Sequence, residues 1–547
     1  MKNINKYFVV ILMVTAGVFV SCEDQLDIPQ QGVQGIDDFY KTDDQAMNAL
    51  ADLYVQWRST YSGLITPLNN MADDSYAGWD NMGDNGGAAH AFNSFTFDTQ
   101  RTTDAYRDPA GLVRRVNTIL ARVSPDSPMK KRIHAECYVI RAWAYSYLVQ
   151  LFGGVPLFED EITSTNALAP RATAEEVWAM VNRDFETALS SGDLPSKSSV
   201  NDKENILRIT KEAAQAWYGK SLLWQGKWNE SATQLKAVIN SGKYQLMGDA
   251  ELRNHLNEPD FGFVVRAKNN LSTEGLFEFN SKKDPNGNAG GEAYGGIMGG
   301  WRADKLSHKD GLFDYVPEID YYGYGWGATG TSRKPLYDAF VEMEGPNGFR
   351  LKGSVLTIED LHALNITVTG VYYSSEGYWD FKFRNIQSEV ISNYIGAGMM
   401  QLFNQSNAWK PMRYAEVLIN AAEACLRAGD ASSALTYINI VRERAHLAPL
   451  GSVTLTDLKK EKRLELYREG SRYIDLVRWE ILGDADGITA SKMLSEQGHF
   501  YPTFQGVTAN LQAFTLTQYG WKERNKLLPI PQNEMNANME MVQNPGW

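Results

Sequence analysis

Residues 413–445 read RYAEVLINAAEACLRAGDASSALTYINIVRERA, and this spacing predicts two helices joined by a tight turn. Apolar residues fall at Val417, Leu418, Ala421 and Ala424, then at Ala434, Leu435, Ile438 and Val441. Those are the three- and four-residue steps of a helix face. Gly429-Asp430 supply the turn. Residues 211–239 have the same form: Ala213, Ala216, Trp217 and Leu223, then Gly226, then Ala232, Leu235 and Val238. Aligned on their glycines, the two segments place Ala232 one position later than Ala434, which predicts a first turn one residue longer.

Helix signals extend on both sides. Thr42 can cap a helix with Gln45 as its capping-box partner, and Ala46, Ala49, Leu50, Leu53, Tyr54 and Trp57 continue with helical spacing. A second helix is expected over 130–152, through Ile133, Cys137, Ile140, Ala144, Leu148 and Leu151; Gly153-Gly154 end it and Pro156 prevents its resumption. A third is expected over 174–190, through Val177, Met180, Val181, Phe185 and Leu189. Helix pairs near 34 residues look like tetratricopeptide-type repeats. Residues 261–407 differ. They carry a glycine-rich stretch and short β-like pieces at 275–279 and 378–383, so they read as a loop-rich insertion on a helical base.

The first residues indicate export. Lys2 and Lys6 precede an apolar run from Phe8 to Val20, too short to span a bilayer. Residues 1–21 therefore read as a signal peptide, and 22–547 as one domain with its helical body at about 36–260 and 408–547 and the insertion at about 261–407. Ser21-Cys22 reads as a lipoprotein cleavage site, with acyl chains on Cys22 holding the protein to a membrane without spanning it; the alternative is ordinary secretion with a chance cysteine. Glu23-Asp24 fit a surface-export signal of the Bacteroidetes kind. Without the leader's two lysines the formal charge falls from −13 to −15. That balance argues against nucleic acid and against electrostatic binding to anionic lipid. Hydrophobic content of 43% suffices for a sizeable core. Cys137 and Cys425 sit in helical patterns and read as small buried hydrophobes, with a disulfide between them the other reading.

Charged residues at Glu465, Glu469, Arg472, Asp475 and Arg478 fall at helical steps and read as ion pairs that lock one helix, not as catalytic groups. The seven histidines show no metal-ligand pairing, and no nucleophile elbow is present. Asp284–Asn288 and Asp484–Gly487 resemble oxygen-ligand loops slightly, but neither completes the EF-hand spacing, so both read as turns. No metal, cofactor or catalytic residue is assigned. The stronger signal is aromatic: Tyr76 and Trp79 in DDSYAGWDN, and Tyr294, Trp301, Tyr321, Tyr322, Tyr324 and Trp326, the last four in YYGYGW. Glycine-rich loops cannot tuck such rings onto a helix face, so some are expected to line a surface. Flat rings suit the C–H faces of sugars, while Asp, Asn and Arg suit their hydroxyl edges. Tyr76, Trp79, Tyr294, Trp301, Tyr322, Tyr324 and Trp326 are the candidate ligand contacts. Trp57, Trp143, Trp217 and Trp224 are expected mostly in the core.

Several motifs in order carry a family resemblance. They are Leu26-Asp27-Ile28-Pro29, Phe39-Tyr40-Lys41-Thr42, residues 135–157 (AECYVIRAWAYSYLVQLFGGVPL), Thr210-Lys211-Glu212-Ala213-Ala214, Arg413-Tyr414-Ala415-Glu416, residues 461–479 (EKRLELYREGSRYIDLVRW), Leu528-Pro529-Ile530-Pro531 and the closing Asn544-Pro545-Gly546-Trp547. Together they resemble the SusD/RagB family of nutrient-binding outer-membrane lipoproteins across nearly the whole chain. The resemblance implies a mostly α body of tetratricopeptide-like helix pairs with a loop-rich lobe. It also implies a non-enzymatic protein at the cell surface, anchored to the outer membrane, that binds a glycan and delivers it to a SusC-like TonB-dependent transporter. A peptide ligand is the alternative within the family. A surface glycoside hydrolase, or a scaffold with no ligand of its own, would lie outside that reading.

Overall fold

Thr42 opens the first helix as its sequence predicts: its hydroxyl accepts the Gln45 amide hydrogen, and the Gln45 side chain returns to the Thr42 amide. The computed structural model describes residues 39–77, 84–164, 168–202, 207–280, 301, 305–309, 311–312, 315–322, 331–389, 406–513 and 519–547. The expected signal peptide, Cys22, and the 284–288 turn lie outside them. The first part of the body contains α1 (Asp43–Asn70), α2 (Asp84–Ser94), α3 (Thr103–Arg122), α4 (Pro128–Phe152), α5 (Ala174–Ser190), α6 (Lys211–Trp224) and α7 (Trp228–Asn240). Ser127 caps α4 and Thr173 closes a capping box with Glu176 on α5. After the insertion come α11 (Tyr414–Arg427), α12 (Ala431–Arg444), α13 (Leu455–Glu465), α14 (Arg472–Ile481), α15 (Ala490–Met493) and α16 (Gln532–Ala537).

These helices form a continuous array. Helix α1 packs on α3, α3 on α4, α4 on α5, α5 on α6, α6 on α7, and α7 directly on α11, which pairs with α12. The two helix pairs legible in the sequence are thus consecutive in space, although the insertion separates them in the chain. Trp57 anchors the array. Its ring lies 4.9 Å from Phe277 and meets Trp143, Trp217 and Phe279 edge-on at 5.1–5.5 Å. Cys137 and Cys425 are both buried and free.

The two pairs have turns of equal length, contrary to the expectation from Ala232. Residues 225–227 and 428–430 form them, with Gly226 and Gly429 both at positive φ. The residue matching Ala434 is Ser231. Both are buried, and Leu235 and Val238 then match Ile438 and Val441. The Ser231 hydroxyl donates to the Gly219 carbonyl at 2.7 Å, across the helix crossing. A polar residue whose hydroxyl is satisfied by its partner helix can occupy a position that a pattern of alanines does not reveal.

The insertion is closed at its base and has its own core. Strand β1 (Gly275–Phe279) near its start pairs antiparallel with β10 (Trp409–Arg413) at its end. Between them lie β2 (Leu306–His308), β3 (Gly311–Leu312), β4 (Tyr315–Val316), β5 (Tyr321–Tyr322), α8 (Lys334–Glu344), α9 (Phe349–Ser354), β6 (Val355–Thr357), α10 (Ile358–Ala363), β7 (Ile366–Val368), β8 (Tyr372–Tyr373) and β9 (Tyr378–Asp380). A hairpin from the C-terminal segment, β11 (Phe500–Gln505) and β12 (Thr508–Ala513), adds to β8. Phe504 joins Tyr372, Trp379 and Leu356 in this second core.

The charged segment at 465–478 does not form one continuous helix. Helix α13 ends at Glu465 and α14 begins at Arg472. Of its five charged residues one pair, Asp475–Arg478 at 3.1 Å, has helical spacing; the others reach distant elements. Buried Arg413 meets Glu469 at 2.6 Å, Glu465 at 3.2 Å, and Glu274. Glu465 also takes Arg444 and Arg350, and Glu469 takes Lys382 at 2.6 Å. Burial alone would raise the Glu465 carboxyl, but Arg444, Arg413 and Arg350 outweigh it and hold it well below the usual range. Asp484 and Asp486, in the second turn with oxygen-rich sequence, are bonded to Arg427 and Lys459.

Two substitutions test this account. A Cβ at Gly219 would lie 2.6 Å from Leu235 Cγ, in a buried crossing. Gly219→Val is expected to lower stability by about 1–3 kcal/mol through overpacking, and Leu235→Ala in that background should cost less than it does alone; additive costs in urea melts would refute the close crossing. Arg413→Met leaves three buried carboxylates facing one another and is expected to cost about 3–5 kcal/mol or prevent folding. A loss under 1 kcal/mol by the same measurement would show that the cluster contributes little.

Candidate functional site

Loop 71–77 leaves the end of α1 and is held on every side. Asp73 receives Arg472 through two bonds of 2.7 and 3.0 Å and meets Arg463 at 3.1 Å. Asp74 receives Arg463 at 2.7 Å. Asn93 donates to the carbonyls of Asn70 and Ser75, and Gln497 donates to that of Ala72. Burial would push the Asp73 carboxyl up, but Arg463 and Arg472 outweigh it and hold the group well below the usual range. Asp74 moves the other way, raised by burial against Arg463, with Asp73 adding to the rise.

The same loop forms an antiparallel bridge with the segment that follows residues 323–330. Ser75 pairs with Ser332, the Tyr76 amide donates to the Thr331 carbonyl at 2.9 Å, and the Arg333 amide donates to the Asp74 carbonyl at 3.0 Å. Arg333 lies over the Tyr76 ring, 4.9 Å from its centre. The Tyr76 hydroxyl donates to Glu376 at 2.5 Å, and the other Glu376 oxygen accepts from the Lys334 amide at 2.8 Å. Burial first, with Glu376 adding to it and Arg333 opposing, raises the Tyr76 phenol well above its usual value. The two aromatic segments singled out by sequence, 76–79 and 321–326, therefore share one base.

Trp301 stands on that base. Its ring stacks on Tyr321 at 4.6 Å, its backbone amide donates to the Tyr321 hydroxyl at 3.0 Å, and its indole NH donates to the Asp380 carbonyl at 2.8 Å. Tyr76 is 5% exposed and Trp301 2% exposed, so both rings are enclosed in protein and neither offers a free face. Tyr322 pairs through its backbone with Tyr315. Trp79, Tyr294, Tyr324 and Trp326 lie outside the described residues. Of the core tryptophans, Trp57, Trp143 and Trp217 are buried and Trp224 packs half-buried against them. Glu376, Arg333 and Gln497 escaped the sequence reading: they lie hundreds of positions from the residues they hold, and no local pattern marks them.

An array of paired helices carrying a lobe with its own core, fastened to loop 71–77 by the Ser75–Ser332 bridge, defines a helical-repeat protein with an inserted lobe. Residues 320–547 match the model of the SusD family, and residues 38–223 match the family model described as starch-binding associating with outer membrane. The chain belongs to the SusD/RagB family. It is similar to SusD-like protein P2 of Formosa agariphila, at 24% identity across the whole of both chains. Among solved structures it is similar to a laminarin binding SusD-like protein (25% identity, 93% of this chain and 100% of the other, TM-score 0.73). It also shares the fold of surface glycan-binding protein A from Bacteroides thetaiotaomicron, solved in complex with laminarihexaose (23%, 92% and 99%, TM-score 0.70).

Acid tests the fastening. The depressed carboxylates Asp73, Glu465, Glu469 and Asp475 contribute stability that is complete above their unfolded pKa and lost as pH falls toward their folded values. Asp74 and Asp380 have the opposite sign and return a part of that loss. The thermal midpoint is expected to hold near neutrality and fall below about pH 4.5. A midpoint that rises between pH 5 and pH 3 would contradict the assignment.

Proposed function

We propose that this chain is a lipid-anchored protein of the outer cell surface that binds a glycan and delivers it to a SusC-like TonB-dependent transporter. In this reading Trp79, Tyr294, Tyr322, Tyr324 and Trp326 supply stacking faces, while Tyr76 and Trp301 form the enclosed framework beneath them. The observation that carries it is the Ser75–Ser332 bridge, which ties the bases of two aromatic loops together. Ligand contacts drawn from both loops would then be held in a fixed relation, which lowers the ordering cost of binding. The named ligands of the relatives, laminarin and laminarihexaose, belong to the class that such rings suit. No bond is broken in this function. Among the described carboxylates at the loop bases, Asp73 and Asp74 are engaged by Arg463 and Arg472 and Glu376 by Tyr76 and the Lys334 amide, so they do not form a free acid and base pair of the kind glycoside hydrolysis uses.

The test uses purified protein and laminarin as the first probe, followed by other β- and α-glucans. A Trp79→Ala, Tyr324→Ala, Trp326→Ala triple variant is expected to lose at least about tenfold in affinity, about 1.4 kcal/mol, with an unchanged melting temperature. Trp301→Ala should instead cost about 3–5 kcal/mol of stability. Full affinity in a folded triple variant would reject these contacts. Binding of peptide pools but of no glycan would favour the peptide-binding alternative, and release of reducing ends on long incubation would make the protein a hydrolase.

A further inference from the structure

The helical body holds a cavity of about 500 Å³ that shares no residue with the lobe loops. It lies between α3, α4, residues of the segment Val155–Ser164, Leu168, and α16 near the C-terminus. We infer that this cavity is a second binding site, for a neutral saccharide of one or two rings.

Its size falls within the range of about 300–1,000 Å³ typical of small-molecule sites. The floor is apolar and partly aromatic: Tyr145, Phe158, Val113, Leu148, Val155 and Met541. Such a floor receives the C–H face of a pyranose as the loop rings do. Polar groups without protein partners stand among these residues. Tyr106 is 4% exposed, its ring is fixed edge-on against Phe152 at 5.1 Å, and its hydroxyl makes no hydrogen bond among the described residues. Its oxygen is reachable from the cavity, where a ligand hydroxyl can bond to it. The Glu534 carboxylate likewise has neither hydrogen bond nor ion pair among the described residues, and burial, opposed by Arg114, raises its pKa. Arg114 supplies unpaired donors on the same wall.

Charge decides the ligand class. Among the described residues of the wall, the groups with no ion pair are one anion, Glu534, and one cation, Arg114. Arg107, also on the wall, is already shared by Asp104 at 2.8 Å and Asp108 at 3.0 Å. A balanced wall gives no net pull on an anion or a cation, whereas its mixture of donors and acceptors matches a ring of hydroxyls. The walls are also fixed in advance. Asn538 donates to the Ala169 carbonyl at 2.8 Å, and Arg171 donates to the carbonyls of Gly154, Phe152 and Val542. On the cavity wall Leu168 is 57% exposed. It extends the apolar surface outward from the floor.

Nothing in this inference depends on the loop site, and one experiment separates the two. Saturation-transfer NMR on the purified protein would use glucose, maltose, cellobiose and laminaribiose as probes. At least one disaccharide is expected to bind. Ala110→Trp, which fills the cavity from its wall, should abolish the signal. Glu534→Ala, on an exposed turn of α16, should weaken binding three- to tenfold without affecting the fold. The Trp79→Ala, Tyr324→Ala, Trp326→Ala variant should keep the disaccharide signal while losing polymer binding. The inference is overturned if none of the four probes binds, if binding survives both Ala110→Trp and Glu534→Ala, or if the loop variant alone removes it.

Discussion

Arg413 occupies a position where the helical array, the lobe and the C-terminal segment meet. It ends β10, the strand that closes the insertion, and immediately precedes α11, the helix that resumes the array. Its guanidinium has no water to turn to and is surrounded by Glu274 from the insertion's entry and by Glu465 and Glu469 from the C-terminal segment. Desolvating such a cation costs several kcal/mol, which only multiple, well-directed partners offset. The arrangement is therefore restrictive: the charges are tolerable when all three segments are in place and costly when any one is missing. A hydrophobic cluster would fill the same space with less selectivity, since apolar contact is non-directional.

That restriction extends to the loop site. The turn between α13 and α14 carries Glu469 toward Arg413, and the flanking helices send Arg463 and Arg472 to Asp73 and Asp74. The loop that carries the first aromatic segment is thus fastened to the same pair of helices that closes the base of the insertion. From there the Ser75–Ser332 bridge and the Tyr76–Glu376 bond pass the constraint to the second segment. A long insertion would otherwise leave its loops free to move against the helical body.

Much of this architecture was legible in sequence, for local reasons. Helix pairs announce themselves because each repeat must bury one face, and the cap at Thr42 is satisfied within four residues. Where a partner lay far away, the pattern misled. Ser231 was unreadable as the counterpart of Ala434 because its hydroxyl is satisfied by another helix, at Gly219. The charges at 465–478 have helical spacing but tertiary partners, so a search within one helix finds the right interaction type and the wrong residues. Tyr76 and Trp301 show the same limit in the aromatic loops. A tyrosine and a tryptophan on a glycine-rich segment look exposed until the distant acceptors, Glu376 and the Asp380 carbonyl, are known. Composition singled out these segments but could not distinguish their enclosed rings from exposed ones.

Burial of those two rings removes them from the expected ligand contacts and makes them part of the support. Stacking on a ligand requires rings held at fixed angles, and a loop of small and polar residues cannot hold them alone because the ordering entropy opposes it. Tyr76 and Trp301 each combine an enclosed ring with a satisfied polar end, which fixes orientation as well as position. Tyr321, beneath Trp301, adds a second layer, and its backbone pairs with Val316 and Ile386 in the lobe core. The aromatic content of this chain thus divides by depth. Among the described residues, rings tied by hydrogen bonds to distant backbone or carboxylate groups build the support, and Ser75 and Ser332 cannot drift apart without breaking the bridge that joins them.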